Sequence, residues 1–147
     1  MQRFISLDIG KKRTGVALVD DSARVATPLT VISAETSSKE FLTELISLIN
    51  EWEPTALIVG LPIDLKGREA IAAQDVRART AVLVDKINQK LVSGSRDVLD
   101  VHYVDERLTT AQAEQSMRAA EMSPDQRKMY RDALAAAVIA QSFIDSL

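Results

Sequence analysis

Apolar and polar positions alternate along residues 4–10, with Phe4, Ser6 and Asp8 on one face and Ile5, Leu7 and Ile9 on the other. That is the period of a strand, and this one ends in a carboxylate. Gly10 and Gly15 bracket a short polar turn, and the apolar run after it returns as the partner of a hairpin. After a turn at Asp20 to Arg24, residues 25–32 predict a third strand, whose Pro28 favours a sheet edge because proline cannot donate to a ladder. Helical spacing then sets in. Ser37-Ser38-Lys39-Glu40 fits a capping box, Phe41, Leu42, Leu45, Ile46, Ile49 and Trp52 form the apolar stripe, and Pro54 stops the helix. Residues 56–62 are a continuous apolar run, the pattern of a strand buried on both faces of a parallel sheet. A long helix is predicted over about 68–91, packing through Ile71, Val76, Val82, Leu83 and Ile87, with Ser93-Gly94-Ser95 ending it. Residues 98–104 read as a fifth strand that runs straight into Asp105-Glu106. Thr109 and Gln112 open a helix to about residue 121, and Ser123, Pro124 and Gln126 open the last one.

The order is three strands, helix, strand, helix, strand, helix, helix. Hairpins first and helical crossovers later predict an α/β fold with a five-stranded mixed sheet, three strands antiparallel and the rest parallel, covered by helices. The length of 147 residues and the 46% hydrophobic content suit one domain over 1–147. In such sheets ligands gather beyond the C-terminal ends of the parallel strands, where Asp8, the Gly60-Leu61-Pro62 exit and Asp105-Glu106 all lie. The last helix adds a fourth position. Its apolar stripe through Ala136, Ile139 and Phe143, stepped back one turn, lands on Asp132.

Taken singly, Asp8 reads as a surface residue beginning a turn and Asp132 as the solvated end of a stripe. Together they read differently. Carboxylates gathered at one sheet edge repel one another, and burying them is costly unless a cation neutralises them. The chain has no cysteine and one histidine, His102, so the expected cofactor is a hard divalent ion held by oxygens, Mg2+ or Mn2+. His102 is expected to be structural, and Met117, Met122 and Met129 to pack. Two such ions would suit phosphodiester cleavage. Lys11, Lys12 and Arg13 follow Asp8, Lys66 and Arg68 follow the fourth strand, Arg107 follows Glu106, and Arg127, Lys128 and Arg131 precede Asp132. Charge runs of this kind usually mark solvated turns, but around an acidic centre they suit phosphate backbones. The net charge of −3 excludes a protein held on nucleic acid by global positive charge. No apolar run reaches the length of a membrane span and no signal peptide is apparent, so a cytoplasmic location without membrane partners is expected.

Leu7-Asp8-Ile9-Gly10-Lys11-Lys12-Arg13-Thr14-Gly15-Val16-Ala17, Val59-Gly60-Leu61-Pro62, Tyr103-Val104-Asp105-Glu106-Arg107-Leu108-Thr109-Thr110 and Asp132-Ala133-Leu134-Ala135-Ala136 resemble the YqgF family, also called RuvX. The resemblance covers essentially the whole chain, and its Asp-Glu-Arg-Leu-Thr-Thr segment is highly specific. It implies a ribonuclease H-like fold, kinship with the resolvase RuvC and a divalent-metal nuclease. Members are described as Holliday-junction resolvases or as nucleases that mature the precursor of small-subunit ribosomal RNA. Carried over by position, the resemblance makes Asp8, Glu106 and Asp132 the catalytic and metal-binding acids, with Asp105 a further candidate ligand. The chain departs from the pattern after the fourth strand, where Asp64 replaces a common Asn and Lys66 a usual Asp, and Lys11 replaces a commoner Thr.

Two other readings stand beside this one. The first hairpin also resembles the phosphate loop of actin-like ATPases, but those need two lobes to enclose a nucleotide, and this chain is short for that. A non-catalytic RNA-binding module of the same fold is the other. The partner is expected to be nucleic acid, precursor ribosomal RNA or branched DNA, and the sequence does not separate them because a two-metal site attacks either backbone. Junction cleavage favours a homodimer, whereas RNA trimming needs only a monomer.

Overall fold

A computed structural model describes residues 2–62, 71–105 and 123–147, with 126–129 as backbone only, and in these described residues the alternation and helical periods resolve into eight elements. They are β1 (Arg3–Ile9), β2 (Thr14–Asp20), β3 (Thr27–Ile32), α1 (Lys39–Trp52), β4 (Ala56–Leu61), α2 (Ile71–Ser93), β5 (Asp100–Asp105) and α3 (Pro124–Asp145). The helix expected over 109–121 and the loop after β4 lie outside the described residues, as do the packing roles expected of Met117, Met122 and the Met129 side chain.

The five strands form one sheet in the order β3-β2-β1-β4-β5. β1–β2 and β2–β3 pair antiparallel, β1–β4 and β4–β5 parallel, which is the mixed sheet that the connections predict. Pro28 sits in β3, at one edge of the sheet. Every residue of β4 is buried, as its unbroken apolar run requires of a central strand.

The pleat sorts the side chains into two cores. Ile5, Leu7, Val16, Leu57 and Val59 meet Phe41, Leu45 and Ile49 of α1 and Val76, Leu83 and Ile87 of α2. On the opposite face Phe4, Val19 and Ile58 meet Ile139, Ala140 and Ile144 of α3, while Ala17 meets Ala136 and Ala137. No helix among the described residues is long and apolar enough to cross a membrane.

Several local expectations shift. The cap of α1 is Ser38, one residue later than the sequence pattern suggests: its hydroxyl accepts from the Phe41 N–H at 3.1 Å, leaving Glu40 in the first turn. Ile71 and Val82 were expected to pack but are 84% and 56% exposed. The buried stripe of α2 is Ala73, Val76, Thr80, Leu83, Ile87 and Leu91, spaced three and four apart, and Val82 lies about 100° around the helix from Leu83. α2 ends with the Arg96 N–H on the Leu91 carbonyl (2.8 Å) and the Ser95 N–H on that of Val92 (3.0 Å). The left-handed residue of this terminus is Ser95, at φ 61°, and not the neighbouring glycine.

Candidate active site

Asp8 sits where strand alternation puts it, on the face covered by α3. Two residues before it on that face, the Ser6 hydroxyl donates to the Ala136 carbonyl at 2.8 Å, a fully buried bond between sheet and helix. Successive rungs of the β1–β2 ladder rise beneath α3. Phe4 pairs with Val19, Ser6 with Ala17 and Asp8 with Gly15. Against the first two rungs lie Ile139 and Ala140, then Ala136 and Ala137. One helical turn rises about 5.4 Å and two strand residues about 6.7 Å, so each rung meets the next turn of the helix. At the third rung that turn carries Asp132.

The contact there is backbone to backbone. A Cβ placed on Gly15 would stand 1.7 Å from the Asp132 carbonyl oxygen and 2.9 Å from the Ala133 nitrogen, so only glycine lets α3 seat at this depth. Because directly paired residues of an antiparallel ladder project to the same side, Asp8 and Asp132 flank this glycine contact. On the other side of Asp8, one step beyond the Leu7–Val59 pair, β4 carries Gly60. Asp8 therefore has a glycine at its level on both neighbouring strands, and neither places a side chain beside it.

Arg13 completes the arrangement. The Gly10 N–H donates to the Arg13 carbonyl at 3.0 Å, closing the turn between β1 and β2. The Arg13 side chain reaches across to α3, where its Nε donates to Asp132 Oδ2 at 2.8 Å; the two side chains are 33% and 23% exposed. From its charge run Arg13 reads as a phosphate contact, and the structure pairs it with an expected metal ligand. Lys12 and Arg131 are exposed, as a phosphate-binding role requires.

The remaining candidates divide. On β5, Val101 and Tyr103 pack toward α1 and α2, whereas Val104 packs toward α3. Asp105 is exposed, and alternation gives it the register position facing away from α3 and hence from Asp8. Glu106, Arg107, Lys66, Arg68 and Asp64 lie outside the described residues, as do the side chains of Arg127 and Lys128. His102 stacks on Phe143 (4.9 Å between centroids) and meets Phe4 edge-on at 6.4 Å, an aromatic packing contact. Among the described residues no group of three or more acidic or histidine side chains could hold a metal ion. Asp8 and Asp132 are the two described acids carried to one rung. The residue that sequence reading underrates is Gly15. Its signal is a glycine inside an apolar strand run, directly opposite a carboxylate.

The chain matches the RuvX family model, described as Holliday junction resolvase, over residues 2–146. A relative from Roseiflexus sp. (strain RS-1), named "Putative pre-16S rRNA nuclease", is 37% identical over 146 residues, 98% of this chain and 94% of the relative. A relative of the same name from Methylobacillus flagellatus is 36% identical over 143 residues, 97% and 90% of the two chains. Among solved structures, the Fowlpox virus resolvase in complex with Holliday junction DNA aligns with a TM-score of 0.58, at 10% identity, over 99% of this chain and 98% of that one. RuvC of T. thermophilus, in complex with a Holliday junction, aligns at 0.53 and 16% identity over 95% and 92%. At such identities the likeness is one of fold, that of RuvC-like resolvases within the ribonuclease H-like class. A family model spanning residues 2–146 and relatives matched over nearly their whole length place this chain in the RuvX family.

Proposed function

We propose that this protein is a divalent-metal-dependent nuclease that matures the precursor of small-subunit ribosomal RNA, with branched DNA as a second substrate class. The observation that carries the reading is the third rung, where Gly15 lets α3 seat Asp132 beside the strand that bears Asp8, at the C-terminal edge of the parallel strands. Ribosomal RNA comes first because the relatives named for it align over nearly the full chain at 31–37% identity, whereas the junction-bound structures support only the fold.

The ligands would be Asp8, Asp132 and Glu106. Asp105 is the lesser candidate, given its register position on the other face. The donor chemistry fits Mg2+ or Mn2+: carboxylate oxygens only, with Asp8 and Asp132 part-exposed and glycines that leave room at Asp8. When bound, such ions lower the pKa of an attacking water and neutralise charge on the leaving oxygen. The protein's own part is to hold the carboxylates on a rigid sheet and helix, and to draw the phosphate backbone in with Lys12, Arg131 and the other basic residues flanking the acids.

The test is purified protein with manganese on two substrates in parallel, a precursor ribosomal RNA and a four-way DNA junction, with Asp132→Asn as control. Cleavage of the RNA that is lost with EDTA and in the variant is expected. Cleavage of the junction alone would reassign the substrate. Tight RNA binding without cleavage of either would make this a binding module of the same fold.

A further inference from the structure

Arg13 is a cation in direct contact with a proposed metal ligand, Asp132. Its backbone is anchored by the closed turn, and its Nε occupies Asp132 Oδ2. A guanidinium bonded to that oxygen and a divalent ion near the same carboxylate compete for one negative charge. The pair is part-exposed, so solvent screens it, and its strength is no more than about fivefold in an equilibrium constant. A divalent ion held by several carboxylates outcompetes a contact that weak.

We infer that Arg13 is a resident counter-cation which the metal displaces from Asp132, and which then binds a phosphate of the substrate. This rests on the proposed nuclease reading and adds a coupling to it. Metal-free protein keeps Arg13 on Asp132, so one phosphate contact is withheld until the site is loaded. Loading turns the side chain out from a fixed backbone toward Lys11 and Lys12, both exposed on the same turn. Metal and nucleic acid thus strengthen each other, and by linkage the factor is the same in both directions.

The inference sets opposite signs on two ligands, which a merely structural arginine would not do. Calorimetric titration of Mn2+ into the protein alone should show Arg13→Gln binding the metal about two- to fivefold tighter than wild type, since the competitor is gone. Binding of a fluorescent RNA hairpin with single-stranded flanks is then measured with EDTA and with Ca2+, its integrity checked on a gel. The loss of RNA affinity caused by Arg13→Gln should be about two- to fivefold larger with Ca2+ than with EDTA. Only with Ca2+ should its salt slope fall, by about one counterion. Arg13→Lys, which keeps a point charge, should retain most of the calcium-dependent gain.

Weaker Mn2+ binding by Arg13→Gln would overturn the inference and make Arg13 a positioning residue for Asp132. An equal RNA loss with and without Ca2+ would overturn it as well. A wild type that binds no Mn2+ would instead overturn the metal-site reading on which it rests, so the two failures are distinct.

Discussion

Two side chains, one absent and one charged, decide how Asp132 meets the sheet. Gly15 admits the helix backbone, and because the obstructing atoms are themselves backbone, nothing flexible yields to a larger residue. Gly15→Ala should therefore destabilise the protein by about 1–3 kcal/mol, as overpacking does, and should lower Mn2+ affinity by moving α3 away at Asp132. Urea denaturation and metal titration read the two effects separately. Asp132→Asn is a different perturbation. It removes a part-exposed ion pair with Arg13, worth about 0–1 kcal/mol, and also relieves repulsion from nearby acids, so metal-free stability should change by less than about 1 kcal/mol. With manganese the order should separate: wild type gains stability as RT ln(1 + [L]/Kd), and the Asn variant, short of one ligand charge, gains far less. Melting curves of both proteins with and without metal check this, and equal metal responses would remove Asp132 from the site.

At the scale of elements, the helix ends carry the most local information. Ser38 caps α1 through the Phe41 N–H, and Ser38→Ala should cost about 1 kcal/mol in chemical denaturation, while Ser37→Ala should be nearly silent. A serine holds the left-handed position at the end of α2, a conformation that favours glycine. Ser95→Gly should therefore raise stability by about 0.5–1 kcal/mol, seen as a higher denaturation midpoint at unchanged slope. Polar clamps tie elements together where no periodicity predicts it. The Asn88 side chain of α2 accepts from the Leu99 N–H at 2.9 Å, just before β5 begins. Gln141 of α3 accepts from the Ala26 N–H at 3.0 Å and donates to the Arg24 carbonyl at 2.9 Å, fixing the segment that leads into β3.

For the molecule as a whole, charge sets how it meets a polyanion. With a net charge of −3, attraction must come from local groups, here the exposed Lys11, Lys12 and Arg131 around the third rung. Binding should fall steeply and log-linearly with salt, and Arg131→Gln should weaken it similarly for RNAs of unrelated sequence. Fluorescence anisotropy at several ionic strengths measures this. Salt-insensitive or strongly sequence-specific binding would point to recognition through base edges instead. The two cores on opposite faces of the sheet share β1, β2 and β4, so loosening of either face is expected to reach β1, the strand that carries Asp8.

The order of the described elements, the antiparallel-then-parallel sheet, the edge position of β3 and the full burial of β4 were legible in the chain. Those features rest on local periods of 2 and 3.6 and on turn residues, which act within a few positions. The acids at strand ends were visible for the same reason. What neighbours in sequence do not carry is which residue meets which across the fold. Arg13 and Asp132 are 119 positions apart, and their bond exists only because the Asp8–Gly15 register and the depth of α3 bring them together. The outward turn of Val82 is likewise a matter of which helix face the sheet accepts, which one helix's own spacing leaves ambiguous by about a third of a turn. Chemistry at the ends of strands is therefore written locally, while the seating of a distant helix's backbone at Asp132 on the glycine opposite Asp8 belongs to the tertiary structure.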